Sequence, residues 1–200
     1  MLVSVSMLQD GIAPEKNKYY LQAIENEIAK VNVLVNEMLN LAKYESGTFQ
    51  LEKEQINIKD LFTQVFQKLL FQIEEKGLKA LLQLEDATVN ANSNLVEQVL
   101  VNLLTNAIRY TEPGHELIVI IKKQKDSVYV GIENKGAHLP EESLDKIWDQ
   151  FYRIDAARER VKGGTGLGLS IVKQILEMHD AQYGAENTKD GVLFYFYLDK

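Results

Sequence analysis

The sequence contains no cysteine, which excludes disulfides, thiolate metal sites and thiol catalysis. Its net charge is −7, so the surface as a whole is not built to grip nucleic acid, and no nucleic-acid partner is expected. No apolar run approaches the ~18 residues of a membrane span. The N-terminus lacks the basic region and apolar stretch of a secretory signal. Internal repeats and low-complexity segments are also missing. These absences predict a soluble, cytoplasmic polypeptide. What is there is ordinary for a globular protein: 46% apolar and 26% charged residues in a chain of 200. That length supports one good core plus an additional element.

The opening "MLVSVSMLQDGI" is apolar from its first residues and has no helix cap. It reads as the end of a helix whose start is missing. A long helical pattern follows from Lys16 to Ser46. Leu21, Ile24, Ile28, Val31, Val35, Met38 and Ala42 alternate at spacings of 3 and 4, a heptad seam. Such a seam serves either a helix lying on its own core or one that pairs with other helices. The narrow stripe and the length favour pairing. Gly47 ends it.

Beyond Gly47 the pattern changes. "INIKDLFTQVFQKLLFQIEEKG" predicts a helix capped at Asn57 and stopped by Gly77, and "KALLQLED" a strand. "SNLVEQVLVNLLTNAIRYT" predicts a helix, and "ELIVIIKKQKDSVYVGIENKG" a hairpin. "PEESLDKIWDQF" reads as a short helix and "GLGLSIVKQILEMH" as another. "AQYGAENTKDGVLFYFYL" closes the chain as a hairpin turning near Asp190-Gly191. Helices mixed with hairpins, not alternating βα units, predict an α+β sandwich.

Four stretches carry candidate chemistry. In "VNLLTNAIRYT", the apolar residues Val96, Val99, Leu100, Leu103, Leu104 and Ala107 cluster within about 140° of the helix. Asn102 and Asn106 fall nearly opposite, flanked by Arg109 and Tyr110. Asparagine is a poor helix former. Two on one line, with a guanidinium and a phenol beside them, suit a phosphate–metal complex: amide oxygens ligate Mg²⁺ and arginine contacts phosphate. A merely solvated face is the alternative. "GGTGLGLSIVKQ" sets Gly163, Gly164, Gly166 and Gly168 directly before an apolar helix, whose N-terminus can receive an anion. It is neither a Walker loop nor a dinucleotide fingerprint. In "IENKGAHLPEE", Asn134 and Gly136 end a strand, where a polar side chain can read a base edge; an ordinary strand-to-turn boundary looks the same. Finally, "IWDQFYRID" runs into "AARERVKGG", a basic loop with Arg153, Arg158, Arg160 and Lys162 that reads as a lid or as plain surface.

In this order and spacing, the four stretches resemble the ATP-binding domain of bacterial sensor histidine kinases. "NLLTNAIRYT" is similar to that family's N box, "ENKGAHLP" to its G1 box, "WDQFYRID" to its F box and "GGTGLGLSIVKQ" to its G2 box. "LNLAKYESG" resembles the second dimerisation helix and its junction with the kinase domain. The resemblance implies a two-layer sandwich with helices on one face of a mixed sheet (residues 47–200), preceded by a partial antiparallel helical hairpin (residues 1–46). It implies ATP and Mg²⁺ as cofactors, with Asn106 on the metal and Asn102 positioning metal and phosphates. Arg109 and Tyr110 then lie beside the triphosphate. Asn134 accepts from the adenine amino group, with Gly136 and Leu139 near the base. Gly164, Thr165, Gly166, Leu167, Gly168 and Leu169 close over the phosphates, and Phe151 anchors the lid on the core. Homodimerisation through residues 16–46, a response-regulator receiver domain as partner, and a membrane-sensor parent are implied as well.

One feature bears on the chemistry, and two departures qualify the resemblance. Related ATPases carry a glutamate four residues before the Mg²⁺-binding asparagine. Here Asn102 stands there and cannot act as a base, which favours phosphoryl transfer over hydrolysis. In G1 the usual aspartate is Asn134 and the second glycine is His138, which predicts weakened ATP binding. The phosphoacceptor histidine is missing. His115 lies in a turn, His138 is in G1, and His179 sits near a helix C-terminus, where its charge suits the dipole. The chain resembles a kinase cut just downstream of its acceptor. An alternative reading is a non-catalytic dimerisation or regulatory piece with weak nucleotide binding.

Overall fold

In the computed structural model, which describes residues 17–47, 49–136, 138–154 and 165–200, the expected long helix α1 runs over Asn17–Glu45. The chain divides into two compact units between Ala42 and Lys43. In the first unit, the heptad residues Leu21, Ile28, Val31, Val35 and Met38 are exposed. The other half of the predicted helical hairpin falls on residues 1–16, outside the described residues.

In the second unit, strand β1 (Glu54–Asn57) leads directly into α2 (Ile58–Glu75). Asn57 caps α2 as its sequence predicts: the side-chain oxygen accepts from the N–H groups of Lys59 and Asp60 at 3.0 and 3.1 Å. Gly77, at φ +67°, stops the helix, and Leu78 N–H reaches back to Ile73 C=O at 3.0 Å. There follow β2 (Lys79–Leu84), β3 (Thr88–Ala91) and α3 (Ser93–Tyr110). Next come the hairpin β4 (Glu116–Lys123) and β5 (Ser127–Lys135), then α4 (Gly168–Met178) and the closing hairpin β6 (Tyr183–Asn187) and β7 (Gly191–Asp199).

The main sheet has the order β2-β4-β5-β7-β6. Its β2–β4 pair is parallel and its other pairs are antiparallel. Alternate residues on one face (Leu117, Val119, Ile121, Val128, Val130, Ile132, Phe194, Phe196) are buried. The buried stripes of α2, α3 and α4 supply the other half of the core, including Phe62, Leu100, Leu104 and Ile171. This is the α+β sandwich that the sequence pattern predicts.

Two parts differ from that pattern. Strands β1 and β3, which pair antiparallel in a small separate sheet, were not expected. Each has only four residues, too few for alternation to stand out. The helix expected over "PEESLDKIWDQF" is instead two 3₁₀ turns, Glu141–Ser143 and Lys146–Trp148. Tertiary contact decides the segment's shape, with Ile147 and Trp148 buried and the Trp148 ring edge-on to Tyr183 and Phe194 at 4.9 and 6.0 Å.

Candidate nucleotide site

Helix α3 is the spine of the site. Its apolar face is buried as predicted, and Asn102, Asn106, Arg109 and Tyr110 remain half-buried on the other side. Midway along it, Asn102 donates from Nδ2 to Gly168 C=O at 3.2 Å, tying α3 to the first residue of α4. At its C-terminal end, Thr111 forms an isolated bridge with Gly136, which seats the end of β5 against the end of the helix. Asn102 and Thr111 are nine positions apart along the helix, a span of about 14 Å. Thus three of the sequence-predicted boxes meet along a single helix.

The α4 side differs from the starts of the other helices of the sandwich. Helices α2 and α3 are both capped by asparagine side chains, Asn57 and Asn92. Helix α4 begins after Leu167 with no side-chain cap. Its first N–H groups therefore have no capping acceptor and carry the positive end of the helix dipole. Gly168 makes room for a ligand, but the protein itself does not need it to be glycine. An added Cβ would meet nothing closer than Asn102 Cγ at 3.8 Å. Gly166 is different, with φ +78° and an added Cβ 3.1 Å from Phe151 Cα. Its C=O accepts from Phe151 N–H at 3.0 Å, and Thr165 Oγ1 accepts from Leu167 N–H at 3.2 Å. Leu167 is buried and Leu169 half-buried, while Gly164 and the basic loop at 155–163 lie outside the described residues.

Phe151 corrects one expectation. Its ring is 52% exposed and does not enter the core. The anchoring at this point is made by backbone, through the Gly166 contact and a left-handed φ of 61°. Arg109 lines an open groove of about 580 Å³ with Thr105 and Ile108 of α3 and Gln72, Glu75 and Lys76 of α2.

At the β5 end, Asn134 is only 3% exposed, on the helix-facing side of the sheet. Its side-chain amide has no hydrogen-bond partner among the described residues. Its amide atoms are not among the fully buried, unpartnered side-chain atoms, so they keep an opening to solvent at the end of the strand. The Asn106 side chain likewise has no partner among the described residues. Leu139, half-buried, follows at the exit of this strand.

His179 is also corrected. It is 4% exposed and does not present a charge to the helix dipole. Its Nε2 accepts from Asn92 N–H at 3.1 Å, and its Nδ1 lies 2.8 Å from Ile175 C=O, to which it donates. Burial, and then the charge of Lys53, hold its pKa below the ordinary histidine value, against the raising effects of the Ile175 bond and Asp180. The neutral ring joins the end of α4 to the start of α3.

One helix face bearing two amides, a helix start without a side-chain cap, and an amide at a strand end line one candidate site along α3. Residues 91–200 match the family described as histidine kinase-, DNA gyrase B- and HSP90-like ATPase, and the chain belongs to it. It is 30% identical over 172 residues to the sensor histidine kinase WalK of Bacillus subtilis, covering 84% of this chain and 28% of WalK. It is 35% identical over 173 residues to the sensor protein SrrB of Staphylococcus aureus strain N315, covering 85% of this chain and 30% of SrrB. The chain therefore spans less than a third of the curated relatives it matches. Among solved structures, the nucleotide-free catalytic domain of histidine kinase ThkA superposes with a TM-score of 0.67 at 30% identity, covering 74% of this chain and 96% of that one. ThkA in complex with the response regulator TrrA superposes with a TM-score of 0.78 at 28% identity, covering 98% of this chain and 55% of that one.

Proposed function

We propose that this chain is the ATP-binding kinase core of a sensor histidine kinase. It transfers the ATP γ-phosphoryl group to a protein histidine supplied by another segment or chain, for relay to a response-regulator aspartate. The observation that carries the reading is the arrangement along α3: Asn134 lies at the strand end bridged to its C-terminus, and the start of α4, which has no side-chain cap, is held to its middle by Asn102. The base lies at the first and the phosphates at the second. Asn134 accepts from the adenine amino group, Gly136 and Leu139 border the ring, and the α4 N–H groups at Gly168 and Leu169 meet the phosphates.

The residues present fit Mg²⁺ as an ion brought in on nucleotide phosphates. No cluster of carboxylates or histidines able to hold a metal occurs among the described residues. Asn106 offers one neutral amide oxygen, the modest protein share typical of nucleotide-bound Mg²⁺. Bound there, the ion supplies charge neutralisation at the phosphates. Asn102, held by Gly168, keeps its oxygen available for the same complex. Because an amide cannot take a proton from water, the site positions a phosphoryl group for a protein acceptor and does not favour hydrolysis.

The exposed heptad residues of α1 support homodimerisation through residues 16–46. The relatives' designation as sensors, and the ThkA complex with its response regulator, support a parent protein that is a membrane sensor with this part in the cytoplasm. Among the described residues no helix is long and apolar enough to cross a membrane.

Calorimetric titration with ATP, with and without Mg²⁺, tests the core of this reading. Binding in the micromolar to sub-millimolar range is expected, strengthened by Mg²⁺. Asn106→Asp, which sets a charge beside the phosphates, is expected to abolish it. No binding by the wild type at millimolar ATP would leave the dimerisation role of α1 as the better account.

A further inference from the structure

The loop leaving β5 is lashed to the β6–β7 turn. Gly136 N–H donates to Asp190 C=O at 3.0 Å. The next described residue, His138, lies with Nε2 2.8 Å from Thr188 C=O. A carbonyl can only accept, so Nε2 carries the proton. Leu139 is held from both sides: its N–H donates to Asn187 Oδ1 and its C=O accepts from Asn187 Nδ2, each at 2.9 Å. The same Nδ2 reaches Glu141 Oε1 at 3.2 Å. Thr188 Oγ1 donates to Glu133 Oε1 at 2.6 Å, tying the turn to β5 itself.

The Asn187 amide thus does for Leu139 what a neighbouring strand would do, satisfying one donor and one acceptor of a backbone that has left the sheet. Pro140 follows and has no N–H to offer. Without Asn187, both Leu139 groups would pair with water, and the backbone between Gly136 and Glu141 would be free to shift. His138 adds a second, independent strap. Where the family resemblance predicts weakened binding, this histidine replaces a glycine's freedom with a hydrogen bond.

We infer that Asn187 and His138 are positioning residues that fix the base-contacting loop and set the preference for adenine over guanine. This rests on the assignment of the base to Asn134, Gly136 and Leu139. Neither side chain touches the nucleotide. They act by holding the backbone that does, so that discrimination between base edges needs no loop reorganisation on binding.

The test is calorimetric binding of Mg²⁺-ATP, Mg²⁺-GTP and Mg²⁺-tripolyphosphate to the 200-residue chain and to three variants. For Asn187→Ala, ATP affinity is expected to fall about tenfold and the ATP-over-GTP preference to shrink, with tripolyphosphate affinity unchanged. His138→Gly should move the same quantities by a smaller factor. His138→Gln, whose amide N–H can reach the Thr188 carbonyl, should restore them. Undiminished ATP-over-GTP preference in both Asn187→Ala and His138→Gly would overturn the inference while leaving the ATP reading intact. Equal losses for ATP and tripolyphosphate would also overturn it, since they would mark general unfolding. A wild type that binds tripolyphosphate but does not prefer ATP would overturn it alone, and one that binds none of the three would overturn the ATP reading with it.

Discussion

The two regions that meet α3, one at its C-terminus and one at its middle, are finished in opposite ways. Around Gly136 and Leu139, the backbone is tied by hydrogen bonds from the β6–β7 turn and by the bridge to Thr111. Around Gly168, among the described residues, the helix start has no side-chain cap, and a bond from Asn102 secures it to α3. The backbone at the proposed base end is tied within the protein, while at the proposed phosphate end the helix start has no side-chain cap. Selectivity belongs at the rigid end. Charge, which any nucleoside triphosphate carries, can be met at the end left open.

The largest expected effect breaks the rigid end outright. A Cβ on Gly191 would stand 2.1 Å from Asn134 C=O, a backbone atom that cannot move without displacing β5. Gly191→Ala is therefore expected to destabilise by about 3 kcal/mol or more, visible as a lowered thermal midpoint. Nucleotide binding should be lost with it. If the midpoint held within a degree or two, the rigidity argued for this end would be wrong.

Gly168→Ala probes the open end, where the protein has room for a methyl group. Thermal stability should hold, while Mg²⁺-ATP affinity should fall by about tenfold, because the lost space belongs to the ligand. Unchanged affinity would remove the phosphates from this helix start.

A smaller effect concerns the joint between α4 and α3. His179 has a lowered pKa in the folded state, so folding favours its neutral form. Its contribution is fully present above the unfolded value of about 6.5 and is lost as pH falls from there through the folded value. Protonated Nε2 could no longer accept from Asn92 N–H. Denaturant melts at pH 7.5 and 5.5 should show a loss of stability on acidification, and His179→Phe should flatten that component. Equal pH dependence in the two proteins would show that carboxylates, not this ring, are responsible.

The smallest effect is at Tyr44, whose hydroxyl donates to Gln98 Oε1 at 3.1 Å and whose ring meets Phe49 edge-on at 5.5 Å. Tyr44→Phe keeps the ring contact and removes one part-buried bond. It should cost about 1 kcal/mol in chemical denaturation and leave ATP affinity alone. A change in affinity would mean that the end of α1 bears on the site.

Much of this was legible from residue order, and what was not has physical causes. The Asn57 cap, the Gly77 stop and the apolar stripe of α3 depend on neighbours within a few residues, so local pattern revealed them. The two asparagines of α3 were readable because they break the pattern of their own helix. The buried state of His179 was not, since Asn92 stands far away in sequence and the helix end suggested an exposed charge. Nor was the Asn187 clasp: an asparagine at the end of a strand reads as a turn residue, and its partner Leu139 lies 48 positions earlier. The 3₁₀ turns before Phe151 took their shape from a tryptophan pocket, which local propensity does not encode.

That pocket also gives the molecule an optical handle. Trp148 is the single tryptophan, buried against Tyr183 and Phe194 and three residues before Phe151. Burial, and then the bond to Glu177, push the Tyr183 phenol up to about 12, so no tyrosinate forms beside the indole near neutrality. Its emission thus comes from a single, uniformly protonated environment. The wavelength and intensity of that light report directly on the segment where the F-box chain meets Gly166, without any label being attached.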